Sequence, residues 1–351
     1  MRPKKLHPTG RLEHGAAARL VWPLAALALL LAFNFLFTEG FFRLDVRDGH
    51  LYGVLIDILN HGSRVMLLAL GMTLVIATGG VDLSVGAVMA VSGAVAAVLV
   101  TKTNLPFGAV LAAALGVSVA AGMWNGMLVA GFRVQPIIAT LILMVAGRGI
   151  AQLITDGQII TFTDPRMVFI GNGHLFGLPF TVTIVAASLA MTWALARRTA
   201  VGLFIECIGS NETASRYSGV NDRLVKFLVY VFAGFCAGVA GLMAASNIKC
   251  ADSNHVGLYL ELDAILAVVV GGTALTGGRF YLAGSIVGAL LIQTLTTTMY
   301  MRDVSSDVAP VPKALVIVAV CLLQSPVFRS QVAGLVRRGV WTLRPAGGKA
   351  S

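Results

Sequence analysis

Residues Arg197–Lys226 read RRTAVGLFIECIGSNETASRYSGVNDRLVK and form the longest polar interruption between two long apolar blocks. The stretch holds five basic residues (Arg197, Arg198, Arg216, Arg223, Lys226) and three acidic ones (Glu206, Glu212, Asp222). Val201, Phe204, Ile205 and Ile208 keep a helix-like spacing within it. Asn211 is placed to cap a following short helix, because its side-chain oxygen accepts from an orphan backbone N–H. Gly219 is placed to end that helix, because glycine enters the left-handed region without a Cβ clash. The pattern predicts about two turns of helix presented on a membrane surface. Two readings stand: an ordinary connecting loop, or a docking element for a soluble partner. The caps and the apolar face are what a plain loop would not need.

The blocks on either side set the class. Hydrophobic residues make up 57% of the chain and charged residues 12%, against about 25% charged in soluble domains. Several apolar runs reach the roughly 18–20 residues that cross a bilayer as helix. Lipid offers no partner for an unpaired backbone group, so the spans must be helical. The net charge of +10 fits basic residues retained on one membrane side, with lipid and not nucleic acid as the charged neighbour. Cys207, Cys236, Cys250 and Cys321 show no paired spacing, which speaks against a disulfide framework or a metal site.

Working outward, the residues predict an all-α polytopic membrane protein with about ten transmembrane helices in two pseudo-symmetric halves. A basic segment, 1–19, precedes a membrane block, 20–325, and a basic tail, 326–351, follows it. Before the central stretch the expected spans are Leu20–Phe37, a short Val65–Thr78, Val85–Thr101, Pro106–Gly131, Pro136–Thr155 and Pro179–Ala196. After it come Phe227–Ala245, a short Leu262–Val270, Phe280–Met299 and Val311–Leu323. Leu51–Asn60 is expected as a separate amphipathic piece, and Asp156–Leu178 as a loop. The first span has no small-residue cleavage site after it and reads as an uncleaved anchor. VIATGGVDLSVGA near residue 80 is echoed by AVVVGGTALTGGR near residue 272. Short, glycine-interrupted segments in corresponding places are where discontinuous helices and substrate paths sit. Under this count 17 of the 26 lysines and arginines fall on the side of the N-terminus, the central stretch and the tail, which places those three in the cytoplasm.

No G-x-x-x-x-G-K-[ST] loop is present, so nucleotide phosphates cannot be cradled in that way. The six histidines are scattered, no H-E-x-x-H occurs, and no enzyme and no cofactor is expected. Asp82, after Gly79-Gly80, is either a helix cap or a polar group facing a path. Arg148 lies inside the fifth span, with Gln152 one turn on and Thr140 two turns back on roughly one face. It lines a path, pairs with a buried carboxylate, or snorkels to the interface. Gln135, Asn125 and Gln293 join Asp82, Thr140, Arg148 and Gln152 as candidate path residues; they line the path or bond helix to helix. Gly122–Gly126, Gly234–Gly238 and Gly284–Gly288 are G-x-x-x-G pairs that permit close helix packing.

GMTLVIATGGVDLSVGAVMA (Gly71–Ala90), ELDAILAVVVGGTALTGGR (Glu261–Arg279) and TAVGLFIECIGSNETASRYSGV (Thr199–Val220) resemble the permease subunits of bacterial ABC importers for monosaccharides, of the ribose, xylose and arabinose type. QPIIATLILMVAGRGIAQLIT (Gln135–Thr155), IDILN (Ile56–Asn60) and the Phe after Gly278-Arg279 look most similar to the galactofuranose branch. The resemblance runs from about Ile56 to Gln324. It implies a multi-pass protein of the bacterial inner membrane that imports a sugar by alternating access. It also implies three partners: a second permease copy or homologue, a periplasmic sugar-binding protein, and a cytoplasmic ATPase docking on the central stretch. Gly202, Gly209, Asn211, Ala214 and Gly219 match the ATPase-coupling positions, and Glu206 and Arg216 are the charged residues expected to act with them. Cys207-Ile208 departs from the Ala–Val or Ala–Ile of relatives. An ion-gradient-driven transporter of a small polar solute is the alternative, and it would need titratable groups near the midplane.

Overall fold

The computed structural model describes residues 12–47, 49–305 and 308–324. Part of the basic segment 1–19 and all of the basic tail 326–351 lie outside these residues. The first half comprises α1 (Leu12–Phe37), α2 (Val54–Ala77), α3 (Val85–Lys102), α4 (Phe107–Gly126, continued by a π-helical turn over Met127–Gly131), α5 (Pro136–Ile154), α6 (Pro165–Asn172) and α7 (Phe180–Arg198). Two short helices follow, α8 (Ala200–Ser210) and α9 (Glu212–Tyr217). The second half is α10 (Asp222–Ile248), α11 (Leu260–Val270), α12 (Leu282–Tyr300) and α13 (Pro310–Gln324). Strands are limited to three small antiparallel pairs: β1 (Asp45–Arg47) with β2 (His50–Tyr52), β3 (Ile160–Thr161) with β6 (Cys250–Ala251), and β4 (His174–Leu175) with β5 (Leu178–Pro179).

Eight helices have the length and apolarity to cross a membrane. With the shorter α11 and α13 they make up the ten-helix, all-α membrane architecture that the sequence predicts. The bundle has an inside and an outside. α2 and α10 are 78% and 72% buried over their apolar cores, while α1, α4, α5 and α7 are between 11% and 28% buried. The peripheral helices turn large side chains outward, such as Ile138, Ile142 and Leu153 on α5, because lipid solvates them as well as protein would.

Packing at the centre relies on small residues and hydroxyls. A Cβ on Gly122 would come within 2.5 Å of the Tyr230 carbonyl oxygen, and one on Gly234 within 2.6 Å of that of Ser118. Gly284 and Gly288 meet the carbonyls of Gly271 and Ala267 just as closely. The G-x-x-x-G pairs are therefore the α4–α10 and α11–α12 crossings. Thr73 donates to Ser285 (2.7 Å), Ser92 to the Gly238 carbonyl (2.9 Å) and Asn34 of α1 to Thr298 of α12 (2.8 Å). Such interhelical bonds contribute roughly 1 kcal/mol each inside a membrane.

Two expectations are corrected. Leu51–Asn60 and Val65–Thr78 are not separate, since one helix runs unbroken over Val54–Ala77. Asp57, Asn60, His61 and Arg64 break the hydropathy but not the helix, because Asp57 is exposed and Asn60, His61 and Arg64 find partners. Arg64 donates to the His61 carbonyl, and Asn60 accepts from Thr181 on α7. The Asp156–Leu178 loop is partly ordered: it holds β3, α6 and the β4–β5 pair. Asp164 caps α6 by accepting from Arg166 N and Met167 N.

Candidate functional site

The central stretch folds as three capped pieces. Thr199 Oγ1 accepts from Val201 N (3.2 Å), Asn211 Oδ1 from Ala214 N (2.9 Å) and Asn221 Oδ1 from Leu224 N (3.1 Å). Each cap starts a helix and prevents one long rod. Gly219, at φ +85°, ends α9. The expected short helix is therefore α9, and α8 precedes it as an unanticipated longer one. Its inward face carries Gly202, Ile205 and Ile208, all buried, while Leu203 and Tyr217 of the pair remain exposed.

Gly209 near the end of α8 touches two other chain segments through its backbone. A Cβ there would overlap the Ala77 carbonyl and the Gly278 amide. Gly278 N itself donates to the Ala77 carbonyl (2.9 Å). A Cβ on Gly277 would sit 2.9 Å from Gly79 N and 3.0 Å from the Gly209 carbonyl oxygen. The two echoed Gly-Gly loops, one joining α2 to α3 and the other α11 to α12, thus meet, with α8 wedged against both.

Charged groups brace this end. Glu206 faces Arg197 at 3.6 Å. Arg197 also donates to the Phe280 carbonyl (3.3 Å) and lies 5.4 Å over the Phe280 ring. Arg216 forms a two-pronged contact with Asp222 (2.8 and 3.2 Å) and reaches Glu212, which Lys226 also holds at 2.6 Å. The Asp222 hydrogen bond pushes the Arg216 guanidinium further up, so it is a permanent cation. Ala214 supplies the amide that Asn211 caps. All seven sequence-predicted coupling residues lie on α8, α9 or their caps. Arg197, Gly277, Gly278 and Phe280 were missed as site residues. Arg197 stood out in sequence only as one of five basic residues of the central stretch, and the other three only through the Gly-Gly echo and the Phe after Gly278-Arg279.

The seven candidate path residues fall in four places. Asp82, Asn125 and Thr140 gather at the first Gly-Gly loop. Asp82 Oδ1 accepts from Ser84 N (2.9 Å), Ser84 Oγ (2.6 Å) and Asn125 Nδ2 (3.5 Å). Asn125 also donates to Ser84 Oγ (2.8 Å), and Thr140 and Tyr230 both reach the Val81 carbonyl. Arg148 and Gln152 lie further along α5 and hold the segment after α10. Arg148 donates to the carbonyls of Ser253 (3.0 Å) and Val256 (2.6 Å), and Gln152 to Asn254 Oδ1 (2.7 Å). Main-chain carbonyls, and no carboxylate, are thus its hydrogen-bond partners among the described residues. This segment folds back far enough for Gly257 to pack on Gly86, in the first turn of α3. Gln135 is exposed at the start of α5. Gln293, half-buried in α12, reaches Thr297 (3.4 Å) and packs beside Gly62.

Known proteins resemble this chain in sequence over most of its length. A family model described as branched-chain amino acid transport system / permease component matches residues 54–323. The chain is 50% identical over 326 residues to the galactofuranose transporter permease protein YtfT of Escherichia coli strain K12, covering 91% of this chain and 95% of that protein. It is 39% identical over 329 residues to the fructose import permease protein FruF of Bifidobacterium longum, with 92% of each chain covered. It is 38% identical over 301 residues to the ribose import permease protein RbsC of Haemophilus influenzae, covering 85% and 90%. Eight membrane-length helices, an echoed pair of glycine loops and similarity along nearly the full length agree: the chain belongs to the permease-component family of the branched-chain amino acid transport systems, as a multi-pass membrane protein.

Proposed function

We propose that this chain is the membrane-spanning subunit of a bacterial ABC importer that moves a monosaccharide into the cytoplasm. A separate ATPase powers it, a periplasmic sugar-binding protein delivers the substrate, and a second permease copy or homologue completes the path. The relatives named for galactofuranose, fructose and ribose support the sugar class, and the 50% identity favours galactofuranose or a similar furanose within it. The subunit lies in the inner membrane, with its termini and the α8–α9 end in the cytoplasm. The excess of lysine and arginine at that end supports this orientation.

One observation carries the mechanism: Gly209 of α8 is seated backbone to backbone on Ala77 and Gly278. Both Gly-Gly loops connect core helices; a displacement of α8 reaches α11 and α12 through the second loop, while the first, closed by Asp82, Ser84 and Asn125, keeps the α2–α3 corner in place. An ATPase gripping the exposed faces of α8 and α9 would move one half against the other and alternate access between them. The coupling residues are Gly202, Glu206, Gly209, Asn211, Ala214, Arg216 and Gly219. Gly209→Trp is expected to lower sugar uptake more than tenfold while the protein still inserts and folds. Uptake in vesicles and co-purification of the ATPase are measured together. Normal uptake with the ATPase bound at wild-type yield would refute the coupling.

A further inference from the structure

At the end of the bundle opposite α8, the first turns of α2 and the ends of α6 and α10 enclose a cleft of about 350 Å³. That lies within the range of small-ligand sites, roughly 300–1,000 Å³. It belongs to a single subunit and is separate from the junction described above. Besides Tyr52, six hydrogen-bonding side chains line it: Asp57, Asn60, His61, Asn172, His174 and Asn247.

Their roles are largely assigned by the bonds they already make. Asn60 Oδ1 accepts from Thr181, which leaves its NH2 to donate. Asn172 spends its NH2 on the Ser246 and Asn247 carbonyls, and Asn247 spends its own on the Gly171 carbonyl. Both therefore keep a side-chain oxygen as acceptor. Among the described residues the Asp57 carboxylate meets no hydrogen-bond donor, although it sits in the first turn of α2. His174 stacks on His50 at 4.5 Å, and Nδ1 of that partner ring is buried without a hydrogen bond. Tyr52, an exposed ring, completes the wall beside His174.

The geometry points to a second ligand site here, for a neutral polyhydroxylated molecule of monosaccharide size. Hydroxyls both donate and accept, so one ring of them can satisfy the Asn60 NH2, the two amide oxygens and the carboxylate together. An anion would face Asp57. An apolar ligand would leave the Asn60 NH2, the two amide oxygens and the Asp57 carboxylate without a partner from it, at a cost that deters binding. A simple ammonium ligand would suit Asp57 and leave the Asn60 NH2 without an acceptor. The Tyr52 ring offers an apolar face to the ligand's C–H groups. The inference rests on the sugar-permease reading for its choice of ligand. It goes beyond that reading by placing a binding site inside one subunit, where sugar would wait or act as an effector before entering the path.

The test uses the full chain purified into nanodiscs without ATPase, with D-galactose as probe and ethanolamine as control, followed by titration calorimetry. Saturable galactose binding is expected. Asp57→Ala and, independently, Tyr52→Ala should each weaken it, the first by roughly tenfold or more, at an unchanged melting temperature. No saturable binding, wild-type affinity in both variants, or tighter binding of ethanolamine would overturn the site. Galactose uptake by cells carrying the complete importer separates this from the transport reading. Uptake without cleft binding removes the second site alone, and cleft binding without uptake of any monosaccharide removes the transport reading alone.

Discussion

The two Gly-Gly breaks share a sequence echo and are held in different ways. The first, between Ala77 and Val85, holds itself. Asp82 turns back to cap Ser84, and buried Asn125 closes the cluster from α4. The second, between Val270 and Leu282, contains four glycines, of which Gly272, Gly277 and Gly278 have positive φ. Side chains do little inside it; Thr273 accepting from Tyr281 N at 3.2 Å is one such bond. It is positioned from outside, by Ala77 and by Arg197 gripping Phe280. One break behaves as a fixed corner and the other as a part held against α8. A pseudo-symmetric pair can thus divide its labour, one loop setting the frame and its counterpart carrying the displacement.

The sharpest way to break this contrast is Asp82→Ala. It orphans a backbone N–H and a hydroxyl of Ser84 in a buried site and removes one of the two bonds of the Asn125 amide, so a loss of about 3 kcal/mol is expected. Thermal unfolding of the purified protein should show it, and uptake should fall only with the amount folded. Uptake collapsing at an unchanged melting temperature would mean that the first break also transmits motion. Gly278→Ala probes the other side. At φ +97°, with Ser210 Oγ 3.1 Å from the new Cβ, it should cost roughly 1–2 kcal/mol. Uptake per folded molecule should fall severalfold, and wild-type uptake would show that the second loop need not be held in place.

The smallest effect comes from pH and sharpens the contrast as a control. Burial, and next the nearby His50, hold His174 below the usual histidine range. The unfolded chain therefore binds the proton more readily, so this stability is present above about pH 6.5 and is lost as pH falls through the lower folded value. Melting temperature should drop slightly between pH 7 and pH 5 in wild type, Asp82→Ala and Gly278→Ala alike. The site is distant from both breaks, and independent effects add. A pH response that vanished in either variant would link the two ends.

What the sequence disclosed follows from what is local. Asn211 and Gly219 act within a few residues of themselves, so the short capped helix was legible. The G-x-x-x-G crossings were legible because small residues at that spacing have one main use in a membrane. The unbroken α2 was not, because Asp57 and Arg64 lower the hydropathy while Thr181 of α7, which satisfies Asn60, lies outside any local window. Arg148 illustrates the deeper limit. Its hydrogen-bond partners are the carbonyls of Ser253 and Val256, and a main-chain oxygen leaves no mark on the letters. The Gly-Gly echo revealed that two loops are alike and not that they touch.

The seat of Gly209 on Ala77 and Gly278 is made of main-chain atoms alone. Such a joint is blind to the identity of the side chains around it, provided none is added at the seat. The opposite face of α8, with Leu203, and the nearby Tyr217 are then free to be rewritten without disturbing the seat. If an ATPase grips that face as proposed, the permease has an exchangeable socket: its outer surface could be recut for a different motor while the lever beneath it stays as it is.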